Sequence, residues 1–328
     1  MSEPRKIRVA VVGAGDFGRN HVRVWRQLED AELVGVVDAD PARASIVAAE
    51  FGTRVIAEVR DLGRMGVDAV SLAVPTSGHG WIGTQLLEQG IDVMVEKPIA
   101  ASLAEADQLI ASARRNGRIL QVGHLERFNP AVMATMKIVT RPLFFEVHRL
   151  GVFTPRSLDV DVVYDVMIHD LDILLALVKA PVTDLKAVGI PVLTDKVDIA
   201  QARIEFATGA VANVTASRVS TERVRKMRFF QEREYISVDY TRQDALRIHV
   251  QGAASSPQIH FEKLPAESEE PLRAELRAFL ESVRTRRAPL VDGAAGRQAL
   301  ELADRVMAGI LDHARRVQLG AFAPQDAP

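Results

Sequence analysis

Arg8 to Gly18, RVAVVGAGDFG, constrains this chain more than any other stretch, because it reads as a buried strand running directly into a glycine turn. Gly13, Gly15 and Gly18 stand at G-x-G-x-x-G spacing. In that arrangement the first glycine permits the tight turn, the second lets backbone approach a pyrophosphate, and the third lets a helix pack close to the strand. The helix then points its positive end at the anion. The triplet lies between an apolar strand, Ile7 to Val12, and a helical stretch, Phe17 to Leu28, so Asp16 and Phe17 are counted with the cofactor turn. A second strand, Glu32 to Val37, ends at Asp38, 20 residues beyond Gly18. A carboxylate there accepts a hydrogen bond from an adenosine ribose 2′-hydroxyl and repels a 2′-phosphate, which favours NAD over NADP. Arg43, close by, leaves room for some NADP use.

A chain of 328 residues exceeds what one core usually spans, so two domains are expected. The formal charge of -2 gives no basic bias toward nucleic acid, and the absence of cysteine excludes disulfides, thiol catalysis and cysteine-based metal sites. The start, MSEPRKIRV, passes from charge into a strand without an apolar signal core, and no later apolar run approaches a membrane span. The expectation is a cytoplasmic protein with no membrane or nucleic-acid partner. The tail Ala321 to Pro328 is expected to fray.

Strands and helices alternate through the first third as a doubly wound α/β sheet requires. Helix Pro41 to Phe51, a short strand around Val55, strand Val67 to Val74, helix Gly78 to Gln89 and strand Ile91 to Val95 follow in turn. Helix Ser102 to Arg115 stops near Asn116-Gly117, and strand Arg118 to Val122 completes the sheet. The domain boundary is placed at Gly123, giving a Rossmann domain over 1–123 and a second domain over 124–328. The second domain opens with helix Pro130 to Val139, strand Leu143 to Arg149 and helix Asp165 to Val178. Six alternating runs then follow: Ala200 to Phe206, Ala210 to Ser217, Lys226 to Gln231, Tyr235 to Tyr240, Leu246 to Val250 and Gln258 to Phe261. Consecutive strands without intervening helices imply a large, mostly antiparallel sheet and an α+β domain, with a hairpin turn at Thr208-Gly209. Helices Leu272 to Val283 and Ala295 to Arg315 close the chain and are expected to pack back at the domain interface.

Chemistry concentrates at strand ends, where open parallel sheets bind ligands. Ala73, Pro75 and Thr76 lie at one such end, Glu96 and Lys97 at another. A lysine there can hydrogen-bond a substrate hydroxyl and stabilise the alkoxide that develops as hydride leaves. It can equally be a solvated lysine paired with Glu96. His79 lies where it could approach the nicotinamide, or serves the fold. Asp165 and His169 stand four apart and so share a helix face, an arrangement that orients an imidazole and raises its basicity. Taken alone, Asp165 also suits a helix cap and His169 a structural histidine. Two such side chains without a third ligand make a poor metal site, and none is assigned.

With these residues in place the chain resembles the Gfo/Idh/MocA oxidoreductases, the family of glucose-fructose oxidoreductase and inositol dehydrogenase. The likeness rests on the glycine fingerprint, AVPT, EKP, D-x-x-x-H at Asp165 and His169, and the closing helices after PLRAELRAFL. It implies that Lys97, Asp165 and His169 are the catalytic set, with His169 removing the hydroxyl proton while hydride passes to NAD. It also implies a homodimer or homotetramer formed through the second sheet. Asp16 departs from the small or apolar residue that many relatives carry, with little expected effect on NAD.

A narrower resemblance, carried by GHLERFNP with Arg149, Arg156, Tyr164 and IHDLDI, is to the branch that oxidises UDP-N-acetylglucosamine at the sugar 3-hydroxyl. Members of that branch make a 3-keto nucleotide sugar, which an aminotransferase can convert to an amino sugar for lipid A or other surface glycans. His124, Arg127, Asn129, Arg149, Arg156 and Tyr164 are the substrate-binding candidates, arginine forks being suited to a diphosphate. Two rival functions stay open. One is a dehydrogenase of a free polyol or sugar such as inositol or glucose, and the other a non-catalytic NAD(H)-binding regulatory protein.

Overall fold

Apolar residues on both faces of a strand call for cover on both sides, and the first strands of this chain have it. A computed structural model describes residues 5–154, 158–253 and 255–319; Arg156 and the tail Ala321 to Pro328 lie outside them. The described chain divides into two units, one running through Phe128 and including Glu270–Arg297, the other formed by Asn129–Glu269 and the chain from Gln298 onward.

The first unit holds β1 (Ile7–Val12), β2 (Ala31–Val37), β3 (Ala69–Leu72), β4 (Asp92–Glu96) and β5 (Leu120–Gly123), all parallel, in the order β2-β1-β3-β4-β5. Val9, Ala10, Val11 and Val12 are all buried, as a two-sided parallel sheet demands. The helices are α1 (Asp16–Gln27), α2 (Pro41–Phe51), α3 (His79–Glu88) and α4 (Leu103–Arg115). Local chemistry sets their ends. The Asp40 carboxylate accepts the Ala42 and Arg43 amides with Pro41 in the first turn, and Gly52 at φ +61° closes α2. Ser102 accepts the Glu105 amide and starts α4. The strand expected around Val55 is reduced to a single bridge to Val36.

The second unit opens with α5 (Pro130–Met136) and β6 (Pro142–Leu150). A π-helical turn over Val163–Met167 runs into α6 (Ile168–Val178), so the expected single helix from Asp165 begins as a wider coil. Then come β7 (Val182–Ile190), β8 (Ile199–Phe206), β9 (Val211–Ser217), β10 (Val224–Gln231), β11 (Glu234–Asp239), β12 (Asp244–Gln251) and β13 (Gln258–Lys263). They form one sheet in the order β13-β12-β11-β10-β6-β9-β8-β7, antiparallel except for β6 beside β9. One face carries Phe145, Val147, Phe229 and Ile236 into a core shared with Ile168, Leu171 and Leu174. The opposite face carries an apolar row across six strands: Val211, Phe144, Phe230, Tyr235, Ile248 and Phe261. Its rings touch, Phe144 to Phe230 at 5.9 Å and Phe230 to Tyr235 at 5.2 Å between centroids. Phe261 nevertheless remains 71% exposed.

Two helices close the chain, α7 (Pro271–Thr285) and α8 (Gly293–Arg316). In the first unit Phe279 of α7 lies against Trp25, whose indole N–H donates to the Ser71 hydroxyl. Gly296, early in α8, lets that helix come close to β5; an added Cβ would stand 2.6 Å from Val122. Farther along α8, Ala299, Leu302, Ala303, Val306 and Ile310 belong to the core of the second unit.

Candidate active site

The glycine turn is built as a dinucleotide cradle. Gly13 sits at φ +101°, and a Cβ there would meet the Ala73 carbonyl oxygen at 2.3 Å. At Gly18 a Cβ would collide with the Gly13 carbonyl at 1.8 Å, so the third glycine is what lets α1 pack on the turn. Gly15 is different: nothing lies within 4 Å of its Cβ direction, and the helix that begins at Asp16 follows directly. Open space at a helix N-terminus is what a pyrophosphate needs, so these residues fit the cofactor. Phe17 is half exposed beside them. We expect Gly15→Ala, at a backbone conformation alanine accepts, to cost no more than about 1 kcal/mol of stability. Its NAD affinity should fall roughly tenfold or more, as a methyl displaces the phosphate. Calorimetric titration and a denaturant curve check the two halves.

Asp38, which directly follows β2, has structural work of its own. Its Oδ2 accepts the Ala14 amide at 2.6 Å and its Oδ1 the Asp40 amide at 2.8 Å, fastening the glycine turn to the second strand. Each oxygen keeps a further lone pair for a ribose hydroxyl. Arg43 is exposed and donates to Asp40 at 3.4 Å.

The ends of β3 and β4 lie side by side in the same sheet. Pro75 leads into a short turn of 3₁₀ helix over Thr76–Gly78. Glu96 ends β4, and Lys97, half buried, follows it. His21 of α1 places its Nε2 2.9 Å from Glu96 Oε1, and Gly123 leaves room for that carboxylate. Burial alone would raise the Glu96 pKa. The His21 hydrogen bond, with the charges of His21 and Lys97, outweighs it and holds the carboxyl below the usual glutamate range. A lowered folded-state pKa means Glu96 contributes stability above the ordinary glutamate range, and loses it as acid takes the pH below the folded value. His79 is buried, its Nδ1 2.8 Å from the Pro98 carbonyl and its Nε2 3.0 Å from that of Val74. Neither nitrogen is left for the nicotinamide, so the structure assigns His79 to backbone rather than cofactor. His124 and Arg127 are buried in this first unit, and the Arg127 guanidinium donates to the Leu290 carbonyl at 3.4 Å.

In the second unit Asp165 lies on the π-turn and His169 in the first turn of α6, both half buried. Tyr164 beside them donates its hydroxyl to Asp304 of α8 at 2.8 Å. Burial, then that carboxylate, pushes the phenol pKa above its ordinary range, so Tyr164 stays a donor. Two expected substrate contacts have structural partners instead. Arg149, 4% exposed, gives Nε to Asp170 Oδ2 at 2.7 Å and Nη2 to Oδ1 at 2.8 Å, and its guanidinium lies over the Tyr240 ring. Asn129 caps α5 through the Ala131 amide and donates to the Tyr240 carbonyl. Asp170 and Asp304 were not singled out from sequence as partners. The available signal was an acid inside the apolar run of α6, which must be paired when buried. Among the described residues no group of three or more histidines and carboxylates could hold a metal ion, and no helix is long and apolar enough to cross a membrane.

The GFO/IDH/MocA model described as an oxidoreductase family with an NAD-binding Rossmann fold matches residues 7–124, and the GFO/IDH/MocA C-terminal domain matches residues 145–237. The UDP-N-acetylglucosamine 3-dehydrogenase of Acidithiobacillus ferrooxidans is 37% identical over 93% of this chain and 97% of its own. Its solved structure superposes with a TM-score of 0.88 at 36% identity, over 94% of this chain and 98% of that one. The NAD-dependent scyllo-inositol 2-dehydrogenase of Bacillus subtilis is 31% identical over 66% of this chain and 68% of its own.

Proposed function

The chain belongs to the GFO/IDH/MocA family and is an NAD-dependent oxidoreductase, and from that premise we propose that it oxidises the 3-hydroxyl of UDP-N-acetylglucosamine to the 3-keto nucleotide sugar. What carries the substrate is the extent of one likeness: 37% identity with a UDP-N-acetylglucosamine 3-dehydrogenase across 93% of this chain and 97% of that one. Likeness to the inositol dehydrogenase of Bacillus subtilis stops at about two thirds of either chain.

In the proposed chemistry bound NAD supplies the hydride acceptor. Gly13, Gly15, Gly18 and Asp38 would hold it, with Ala73, Pro75, Thr76 and Glu96 as further contacts at the neighbouring strand ends. Lys97 donates to the hydroxyl that becomes an alkoxide, and His169, oriented by Asp165, takes the proton. Arg127 and Arg156 are assigned to the diphosphate and His124 and Tyr164 to the sugar. A 3-keto sugar is a substrate for an aminotransferase, which places the product in amino-sugar synthesis for surface glycans such as lipid A. Incubation with NAD and a panel of UDP-sugars, free sugars and inositols, followed at the absorbance of the reduced nicotinamide, tests the reading. Turnover of UDP-N-acetylglucosamine at least tenfold faster than of any free sugar or inositol is the expected result. A faster free polyol transfers the assignment to the inositol-type dehydrogenases, and NADH binding without any oxidation points to a regulatory protein.

We also propose that the enzyme pairs with a second copy through the outer face of the eight-stranded sheet. The apolar row from Val211 to Phe261 is continuous over six strands and is flanked by charges of both signs, Arg228 opposite Glu146 and Lys263 at the far edge. Such a face is self-complementary about a twofold axis. Phe230→Asp should weaken association by about 100-fold or more, seen as monomer in sedimentation velocity where the unaltered protein is dimer or tetramer.

A further inference from the structure

One buried ring ties the end of β3 to the segment that carries Lys97. His79 is 1% exposed and opens α3. Its two nitrogens reach the carbonyl oxygens of Pro98, the residue after Lys97, and of Val74, inside AVPT. Carbonyl oxygens only accept, and a neutral imidazole has one N–H to give. The neutral ring therefore holds one segment firmly and turns a lone pair toward the other.

Which state the ring adopts follows from its surroundings. Burial lowers its pKa, while the two carbonyls and the carboxylates of Glu96 on β4 and Glu105 on α4 act the other way without overcoming it. The Glu105 side chain packs at Gly80, whereas the place of His79 itself at the start of α3 disfavours an added positive charge on the ring. His79 is thus neutral near pH 7. Of the two contacts, 2.8 Å at Nδ1 and 3.0 Å at Nε2, we assign the N–H to the shorter, with the Pro98 carbonyl accepting its hydrogen bond.

We propose that His79 is a positioning residue, whose Nδ1–H holds the Pro98 carbonyl and thereby fixes the backbone from which Lys97 reaches the substrate hydroxyl. This rests on the reading of Lys97 given above. It removes His79 from the cofactor-binding set and gives the two halves of the imidazole unequal importance.

Asparagine places its amide nitrogen near the position of Nδ1 and glutamine near that of Nε2, so the two substitutions separate the two contacts. With NAD and UDP-N-acetylglucosamine, His79→Asn should keep kcat within about threefold of the unaltered protein. His79→Gln and His79→Ala should lose roughly 10- to 100-fold, the scale of a misplaced reacting group. All three should bind NADH, measured by fluorescence titration, within about twofold of the unaltered protein. In the apoprotein, the nitrogen-15 spectrum of His79 should show a protonated Nδ1 and an unprotonated Nε2. Equal kcat for the asparagine and glutamine variants, the opposite tautomer, or a tenfold loss of NADH affinity would each overturn the proposal. If His79→Ala fails to fold, the asparagine and glutamine pair still decides it. Lys97→Met distinguishes the two levels: full turnover in that variant removes the role of Lys97 and the positioning with it. An inactive Lys97→Met beside fully active His79 variants removes the positioning alone.

Discussion

His169→Ala lowers kcat with UDP-N-acetylglucosamine by roughly two to four orders of magnitude, the span a positioned general base supplies, while NAD affinity stays within about twofold. The separation follows from where the residue sits. His169 lies in the first turn of α6 in the second unit, whereas the glycine turn and Asp38, proposed above to hold NAD, belong to the first. Asp165 comes one turn earlier, on the π-coil, where the wider winding keeps residues four apart on nearly the same side. Asp165→Asn should therefore fall between the unaltered enzyme and His169→Ala in kcat, since it leaves the base in place but loses its orienting charge. Steady-state kinetics with parallel calorimetric titration of NAD read both quantities. Unchanged kcat in His169→Ala would remove it from the chemistry.

Arg149→Ala costs about 3 to 5 kcal/mol of folding stability, because it strands the Asp170 carboxylate in a protein interior. Asp170 is fully buried and receives both bonds of the guanidinium fork, and the arginine also lies 4.7 Å above the Tyr240 ring. The pair joins β6 to α6, which carries His169. Removing both charges is milder than removing one, so Arg149→Met with Asp170→Leu should recover most of the loss. Urea denaturation of the two single variants and the double variant measures the coupling. A variant of Arg149 that keeps its stability but raises KM for the nucleotide sugar would return this side chain to the diphosphate.

The contrast between these residues shows what a linear reading can reach. α2 is legible to the residue, Pro41 to Phe51, since a capping Asp40, a first-turn proline and a terminal glycine are local signals. The cradle is legible through the spacing of its three glycines, although the Ala73 carbonyl that Gly13 makes room for comes from a distant strand end. β7 escaped notice: VTDLKAVGI lies at the sheet edge, and its outward threonine, aspartate and lysine with an inward Gly189 blur the two-residue alternation. The parallel pairing of β6 with β9 escaped too, because it joins strands some 67 residues apart, Phe144 opposite Val211. Partners of the charged groups were least legible of all. Arg149 finds Asp170 across 21 positions and Tyr164 finds Asp304 across 140, distances over which only the folded backbone decides who meets whom.

The bonds that Asp38 accepts from the Ala14 and Asp40 amides limit how readily this enzyme's redox currency can be changed. Stripping the acid to welcome a phosphorylated nucleotide also unbolts the Ala14 amide from β2 and loosens the turn meant to grip that nucleotide. A successful redesign would have to keep a hydrogen-bond acceptor at position 38, such as serine or asparagine, and recruit its cation from a neighbour like Arg43.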